Sequence, residues 1–348
     1  MRFTFFYMAL MAAFVLSCSS GNTETSEKTT GNQVVNLYSQ RHYDVDRKVY
    51  DKFEKETGIR VNMISAAADE LLAKLKSEAE LTSCDVFMAV DAGNLQKAKE
   101  AGVLQPLQSD ILNKNIIPHL RDPEGYWFAQ TMRARVFAVK KGLKDKYPNL
   151  SYEDIAKPEF RGKIVMRSST SSYNQALLAS IIAHDGEAAA SAWAAGVTAN
   201  FAREPKGNDR DQVKDIASGK GEITLVNTYY LGKMQKSDDA AEQKALQQVE
   251  IIFPNQQGRG THINVSGSGL AKYAKNKANG IKLLEFLARP DIQKEFALNN
   301  EEYPVNGEFS ANGILSKMGN FKIDSLNLEL LGTYNPAAIK IFDKAGWQ

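Results

Sequence analysis

From residue 34 onwards, apolar and polar positions follow a pattern that predicts short strands separated by amphipathic helices. The first half of the pattern predicts, in chain order, a strand at 34–38, a helix at 44–57, a strand at 60–64, a helix at 68–80, a strand at 84–90 and a helix at 95–101. Gly58 and Gly102 follow two of these helices, where glycine is typical of a helix end. A repeat of this kind predicts a mostly parallel sheet covered by helices.

Beyond residue 133 the pattern starts again. It predicts strands at 136–140, 163–166 and 222–227, helices at 175–184, 187–198 and 211–218, an extended return segment at 262–272, and closing helices at 276–288 and 290–299. Two α/β units and a returning segment predict two lobes joined by two crossings, with a ligand cleft between them. The predicted lobes are 34–133 with 259–308, and 134–258 with 309–348.

The first 33 residues do not fit this pattern. Residues 1–17 have one charge, Arg2, followed by an apolar run too short to span a bilayer permanently, which predicts a secretory signal peptide. Its end, Val15-Leu16-Ser17-Cys18, is similar to a bacterial lipobox, so we expect Cys18 to be the lipidated first residue after cleavage. Residues 18–33 are polar and predict a flexible tether. An ordinary signal peptide with an incidental cysteine is the alternative.

Composition narrows the function classes. Cys84 is the one cysteine besides Cys18, so we expect neither an intramolecular disulfide nor a cysteine-based metal site. The 43 basic and 41 acidic residues nearly balance and form no basic block, which argues against a nucleic-acid partner. The chain contains no GxSxG, P-loop or HExxH motif, so an enzyme is not favoured.

Candidate binding residues follow three predicted strands. His42 and Tyr43 come after the first strand, Tyr173 ends a Ser/Thr-rich loop after 163–166, and Tyr229 and Tyr230 come directly after 222–227. The carboxyl ends of strands form the rim where α/β proteins bind ligands, so these side chains are expected to face one cleft. Taken singly, a tyrosine pair at a strand end is more often packing or a sugar-stacking platform.

Taken together, the four phenols and the imidazole favour a metal. A free phenol has a pKa of about 10, so it ionises at neutral pH only beside a strong positive charge. Zinc prefers His and Cys, and calcium prefers carboxylates and carbonyls. Phenolate also ligates iron in catalase. Ferric iron therefore matches the set best.

The chain resembles a known family over nearly all of its length after residue 33. NLYSQRHYDVDRKVYDKFEKETGIRV, DIAKPEFRGKIVM and NVSGSGLAKYAKNKANGIKLLEFLARPDIQKEFALNNEEYPV resemble the type II solute-binding proteins of ABC importers. RHY, SSTSSYNQA and VNTYYLGKM resemble the ferric-iron-binding members, sometimes called bacterial transferrins. The fold this implies is α/β, with two lobes, each a mixed and mainly parallel sheet flanked by helices.

The resemblance also implies a ligand set. The tyrosine pair of the family falls on Tyr229 and Tyr230, the third tyrosine on Tyr173, and the first-strand site on His42 and Tyr43. This ligand set is similar to that of the family branch with a His-Tyr pair and an extra tyrosine. That branch tends to need no added anion to complete the iron site. Four phenolates around Fe(III) leave one negative charge. The residues expected to offset it are Arg41, Arg133 and Arg135.

The implied role is that of an extracytoplasmic carrier. We expect a monomer held near the membrane by its lipid, closing its lobes on Fe(III) as cargo and delivering it to a permease and its ATPase. One alternative is a protein of the same fold that binds a small organic solute with its cleft tyrosines. Another, from a different class, is an extracytoplasmic enzyme or a sensor domain.

Overall fold

The computed structural model describes residues 33–307 and 314–348. The predicted signal peptide, Cys18 and the tether up to residue 32 lie outside the described residues. In the described part of the chain, no helix is both long and apolar enough to cross a membrane.

The strands form a mixed sheet. The described strands are β1 (Val34–Ser39), β2 (Arg60–Ser65), β3 (Val86–Ala89), β4 (Leu104–Gln105), β5 (Phe128–Lys140), β6 (Ile223–Asn227), β7 (Val249–Ile252) and β8 (Ile263–Ala271). They are hydrogen-bonded in the order β2-β1-β3-β8-β5-β6, with β4 added to β8 and β7 to β5. Parallel pairing joins β1 to β2 and β3, whereas β8 and β5 pair antiparallel with their neighbours. The sheet is mixed, as expected. Antiparallel strand pairs outnumber parallel ones among the described strands, whereas a mainly parallel sheet was expected.

The long strand β5 connects the two ends of the sheet. Its first half, up to Ala134, pairs with β8, and from Arg135 onwards it pairs with β6 and β7. The strand predicted at 136–140 is therefore not a separate element, because it is the second half of one continuous strand that begins at Phe128. The predicted lobe bounds stay predictions.

Helices cover the sheet. In chain order they are α1 (Asp44–Thr57), α2 (Ala68–Glu78), α3 (Ala92–Glu100), α4 (Asp110–Asn115), α5 (Ser172–Ala199), α6 (Asp209–Ala217), α7 (Thr228–Gln235), α8 (Ala240–Leu246), α9 (Lys277–Leu287), α10 (Pro290–Asn300), α11 (Ile314–Lys317), α12 (Glu329–Thr333) and α13 (Asn335–Ala345). Strands β3 and β8 are buried along their whole length. The continuous apolar sequence VFMA of β3 is typical of a strand covered on both faces, whereas β8 also contains small and polar residues.

Local sequence explains the helix that follows β1. Val45, Val49 and Phe53 recur at helical spacing and are buried, and Gly58 ends the helix with a φ of 69°, in the left-handed region. The end of β1 and the start of α1 are thus fixed by packing, which places residues 40–43 at the carboxyl end of the strand.

One predicted strand is absent from the structure. Residues 163–166 form no strand; Ile164 makes isolated bridges to Phe201 and Ile223. The separate helices predicted at 175–184 and 187–198 are confirmed as the two halves of α5, which meet at Gly186, where φ is 81° and ψ is 167°. A glycine tolerates this non-helical conformation, which interrupts the helix and lets the chain change direction.

Candidate metal centre

The turn after β1 is anchored by a buried arginine. Arg41 is 1% exposed, and its Nη2 lies 2.8 Å from Asp46 Oδ1 and 3.0 Å from Glu302 Oε2. Its Nη1 donates to the hydroxyls of Thr131 and Ser266 at 3.0 and 2.9 Å. Burial raises the pKa of Glu302, but the Arg41 charge outweighs it and holds the pKa below its ordinary value. Arg41 therefore holds the turn rigid, with two carboxylates already balancing its charge.

This anchored turn presents His42 and Tyr43. Tyr43 is the N-cap residue of α1, and its phenol ring lies 4.9 Å from the Arg41 guanidinium carbon. The His42 ring is exposed; its Nδ1 lies 3.2 Å from the Gln40 carbonyl oxygen and its ring centroid 5.6 Å from that of Tyr43. The two side chains line a cavity of about 280 Å³ together with Lys233.

Three further phenols meet at two helix N-termini. Tyr173 lies in the first turn of α5, and Tyr229 and Tyr230 lie in the first turn of α7, directly after β6. The hydroxyls of Tyr173 and Tyr229 are 3.0 Å apart. The Tyr230 ring centroid is 4.2 Å from that of Tyr229 and 6.4 Å from that of Tyr173. Positive helix N-termini favour negative charge at this position.

The environment keeps Tyr43, Tyr173 and Tyr229 neutral when no cation is bound. Burial, followed by the neighbouring phenol of Tyr230, raises the pKa of Tyr173 well above its ordinary value. Burial and then the phenols of Tyr173, Tyr43 and Tyr230 do the same for the pKa of Tyr229. Burial and Glu302 raise the pKa of Tyr43. Phenols that oppose one another's ionisation in this way need a highly charged cation to become ligands.

Arginines surround the Tyr173 ring. The guanidinium carbons of Arg133, Arg135 and Arg167 lie 5.9, 5.9 and 5.1 Å from its centroid. Arg135 and Arg167 each lie 2.8 Å from a different oxygen of the fully buried Asp209. Arg133 instead donates to the Val90 carbonyl and to Ser266, and pairs with no carboxylate among the described residues.

A lysine lies against the cluster from the side of α7. The Nζ of Lys233 is 3.8 Å from the centroid of the Tyr43 ring and 5.3 Å from that of Tyr229. Burial lowers the pKa of Lys233 below its ordinary value, although the Glu302 carboxylate acts the other way. The ammonium thus lies between a phenol at the start of α1 and a phenol of α7.

The structure therefore brings together Tyr173, Tyr229 and Tyr230 through direct ring or hydroxyl contacts, and joins Tyr43 to them through Lys233. The contacts of His42 are with Gln40 and Tyr43 in its own turn. Among the described residues, no group of three or more His, Cys, Asp or Glu side chains is placed to hold a metal ion. The candidate metal centre is the phenol cluster.

The sequence did not identify three of the charged residues at the site, Arg167, Asp209 and Lys233. Lys233 follows Tyr229 by four residues, so helical spacing after the strand could have placed it beside that ring. No sequence pattern pointed to Asp209, because its ion-pair partners Arg135 and Arg167 are far from it along the chain.

Comparison with known proteins identifies the family. A model of the bacterial extracellular solute-binding proteins matches residues 82–321. Iron uptake protein A1 of Synechocystis sp. is 44% identical over 346 residues, which cover 99% of this chain and 96% of that protein. This chain belongs to the bacterial extracellular solute-binding proteins. Proteins of this family bind solutes and are not enzymes.

Solved structures show the fold of this solute-binding protein. A Trichodesmium protein named IdiA or FutA, in complex with iron and citrate, superposes with a TM-score of 0.87 at 46% identity, covering 90% of this chain and all of that one. A ferric-binding protein from Campylobacter jejuni gives a TM-score of 0.84 at 41% identity, with the same coverage. The expected two-lobed binding-protein fold is thereby confirmed.

Proposed function

We propose that this solute-binding protein captures Fe(III) outside the cytoplasm and carries it as cargo. The observation that carries the proposal is the contact of Tyr173 and Tyr229 at 3.0 Å between hydroxyl oxygens, with the Tyr230 ring tilted against that of Tyr229 at 4.2 Å between centroids. Hydroxyls this close to one another at two helix N-termini can converge on one cation. Relatives named for iron uptake and ferric binding share the fold and more than 40% of the sequence.

In this proposal Tyr173, Tyr229 and Tyr230 bind the ion first. They already contact one another, so little rearrangement is needed. Tyr43 and His42 then complete the ligand set from the start of α1, and the exposed His42 ring turns from the Gln40 carbonyl toward the ion. Because these ligands belong to different ends of the sheet, their joint binding favours the closed arrangement of the two lobes.

The charge at the site fits a trivalent cation. Each phenol that becomes a ligand loses a proton, so four phenolates and Fe(III) leave one negative charge. Arg133 has no carboxylate partner among the described residues, and Asp209 is shared by two arginines. The site therefore holds positive charge in excess, which stabilises an anionic iron complex.

Delivery and anchoring complete the proposal. The closed, loaded form docks on the permease of an ABC transporter, whose ATPase drives transport, and a lipid on Cys18 keeps the carrier at the membrane. Iron uptake by cells that lack this protein tests delivery. Mass spectrometry of the mature N-terminus tests the lipid on Cys18.

The colour of the purified protein tests iron binding. Ferric tyrosinate absorbs visible light by charge transfer from phenolate to iron, so addition of ferric citrate should turn the protein red-orange. Replacing Tyr229 and Tyr230 together by phenylalanine should abolish the colour and tight binding, because both substitutions remove the ligand oxygen and keep the ring.

The matched control replaces Tyr126 and Tyr273, which lie outside the cluster, by phenylalanine and should leave the colour unchanged. A wild-type protein that stays colourless would refute iron capture and favour a small organic solute. Colour retained in the Tyr229→Phe/Tyr230→Phe protein would show that the ligands are elsewhere.

A further inference from the structure

Lys233 differs from the other positively charged side chains around the phenols in the partners of its charged group. Arg41 pairs with two carboxylates, and Arg135 and Arg167 share Asp209. The next lysine along the chain, Lys236, directly follows α7 and pairs with Glu301 at 2.5 Å. The Lys233 ammonium contacts aromatic rings and forms no ion pair or hydrogen bond with the described residues.

The ring contacts link two distant parts of the chain. A distance of 3.8 Å from the Tyr43 centroid and 5.3 Å from the Tyr229 centroid places the ammonium within the range of favourable cation–π contact with both rings. Tyr43 caps α1, whereas Tyr229 and Lys233 lie one turn apart on α7. Lys233 thus contacts both the phenol at the start of α1 and a phenol of α7.

A lysine that packed only through its alkyl stem would place its ammonium in water, as most surface lysines do. Lys233 instead keeps its ammonium beside the phenols and lines the same 280 Å³ cavity as His42 and Tyr43. Placing an ammonium here costs hydration free energy, and cation–π contact with neutral phenol rings offsets only part of that cost. An anionic group in the cluster would offset a larger part.

The anionic group that the proposed function supplies is the iron complex. Four phenolates around Fe(III) form a complex with one net negative charge. The ammonium of Lys233 carries one positive charge, and its distance to two of these phenols is short enough for a strong Coulomb interaction in a partly buried site.

We propose that Lys233 is a positioning and charge-balancing residue in Fe(III) binding. Its ammonium holds the Tyr43 ring against α7 and neutralises the tyrosinate complex from inside the cleft. The inference rests on the proposed function. It adds to that function a residue that is not a ligand, and it explains why a half-buried lysine lies against two phenol rings.

The test compares Lys233→Gln, Lys233→Arg and wild type. Affinity is measured by titrating the iron-loaded protein with citrate and following the tyrosinate colour. Lys233→Gln should weaken Fe(III) binding by about tenfold or more, since it removes one charge and two cation–π contacts. Its charge-transfer band should move to longer wavelength, because the phenolate electrons are held less tightly.

Two controls separate this role from simple packing. Lys233→Arg keeps the charge and should restore most of the affinity and the band position. Lys244→Gln removes one exposed lysine from the neighbouring helix α8 and should match wild type. Thermal unfolding of the iron-free proteins shows whether each variant is folded.

The outcomes distinguish the two proposals. Wild-type affinity and an unshifted band in Lys233→Gln would overturn the role of Lys233 while leaving iron capture standing. Equal weakening in Lys233→Arg and Lys233→Gln would show that packing matters and the charge does not, which also overturns it. A colourless wild type would overturn iron capture and this inference together.

Discussion

At the scale of single residues, the tyrosines differ by what their hydroxyls contact. The buried Tyr152 donates to the Arg135 carbonyl at 2.6 Å and accepts from the His262 amide at 3.1 Å, so its hydroxyl is occupied by backbone groups. The hydroxyls of Tyr173 and Tyr229 contact each other instead. A phenol whose partner is another phenol can release its proton to solvent and bind a metal without breaking hydrogen bonds to the backbone.

His42 should contribute to affinity more than to colour. His42→Ala removes the imidazole nitrogen and leaves all four phenols, so charge transfer should persist while Fe(III) binding weakens by at least about tenfold, the smallest effect typical of losing a group that supports a metal site. Citrate competition measures the affinity, and the visible spectrum measures the colour. Lys48→Ala, an exposed change on α1, is the control. Unchanged affinity in His42→Ala would show that this imidazole is not a ligand.

Residue type and position after a strand were enough to propose His42, Tyr43, Tyr173, Tyr229 and Tyr230 from the sequence. Lys233 could not be proposed in the same way, because a lysine on a helix is ordinarily solvated. Only the packing of α7 against the start of α1 places its charge between two rings.

At the scale of elements, Asp209 connects the parts that carry the phenols. It begins α6, pairs with Arg135 of β5 and with Arg167 before α5, and accepts from the Asn227 amide at the end of β6 at 2.7 Å. One buried carboxylate therefore connects the middle of β5, the end of β6 and the turn that leads to Tyr173.

Asp209→Asn should destabilise the fold strongly. The amide keeps one acceptor oxygen but removes the charge that both arginines share, and breaking a buried ion pair costs about 3–5 kcal/mol. The unfolding free energy from urea titration at neutral pH measures the loss. Asp51→Asn, in the exposed pair with Arg47, should cost less than about 1 kcal/mol. Equal losses in the two variants would contradict the role of Asp209.

Element prediction from sequence succeeded where apolar periodicity was clear. Helix α1 has the predicted bounds, because its buried residues recur at helical spacing and Gly58 ends it. The prediction of a strand at 163–166 was wrong, since an apolar run does not by itself supply a strand partner. Likewise, no local signal shows that β5 continues from one end of the sheet to the other.

At the scale of the whole molecule, iron capture should be linked to proton release. The pKa values of Tyr43, Tyr173 and Tyr229 lie above the ordinary phenol value, so these phenols are protonated at neutral pH without iron. Iron binds the deprotonated forms. Affinity should therefore rise with pH by about tenfold per pH unit for each phenol ligand, and fall as the pH drops.

Proton counting in weakly buffered solution near pH 7 checks this linkage. Loading with ferric citrate should release about one proton more from wild type than from Tyr173→Phe, since one phenol ligand is lost. Tyr126→Phe is the control and should release as many protons as wild type. Equal release by wild type and Tyr173→Phe would show that Tyr173 stays a neutral phenol.

The sequence by itself determined most of the strand–helix order and the residue types of the site, because periodicity and side-chain chemistry are local properties, and its resemblance to a known family indicated the class of binding protein. The tertiary structure decided which charges accompany the phenols. Asp209 is shared by Arg135 and Arg167, and Lys233 lies between Tyr43 and Tyr229, through contacts that span from four residues to almost two hundred along the chain. Electrostatic interactions depend on distance in space and on burial, and only the folded chain fixes both.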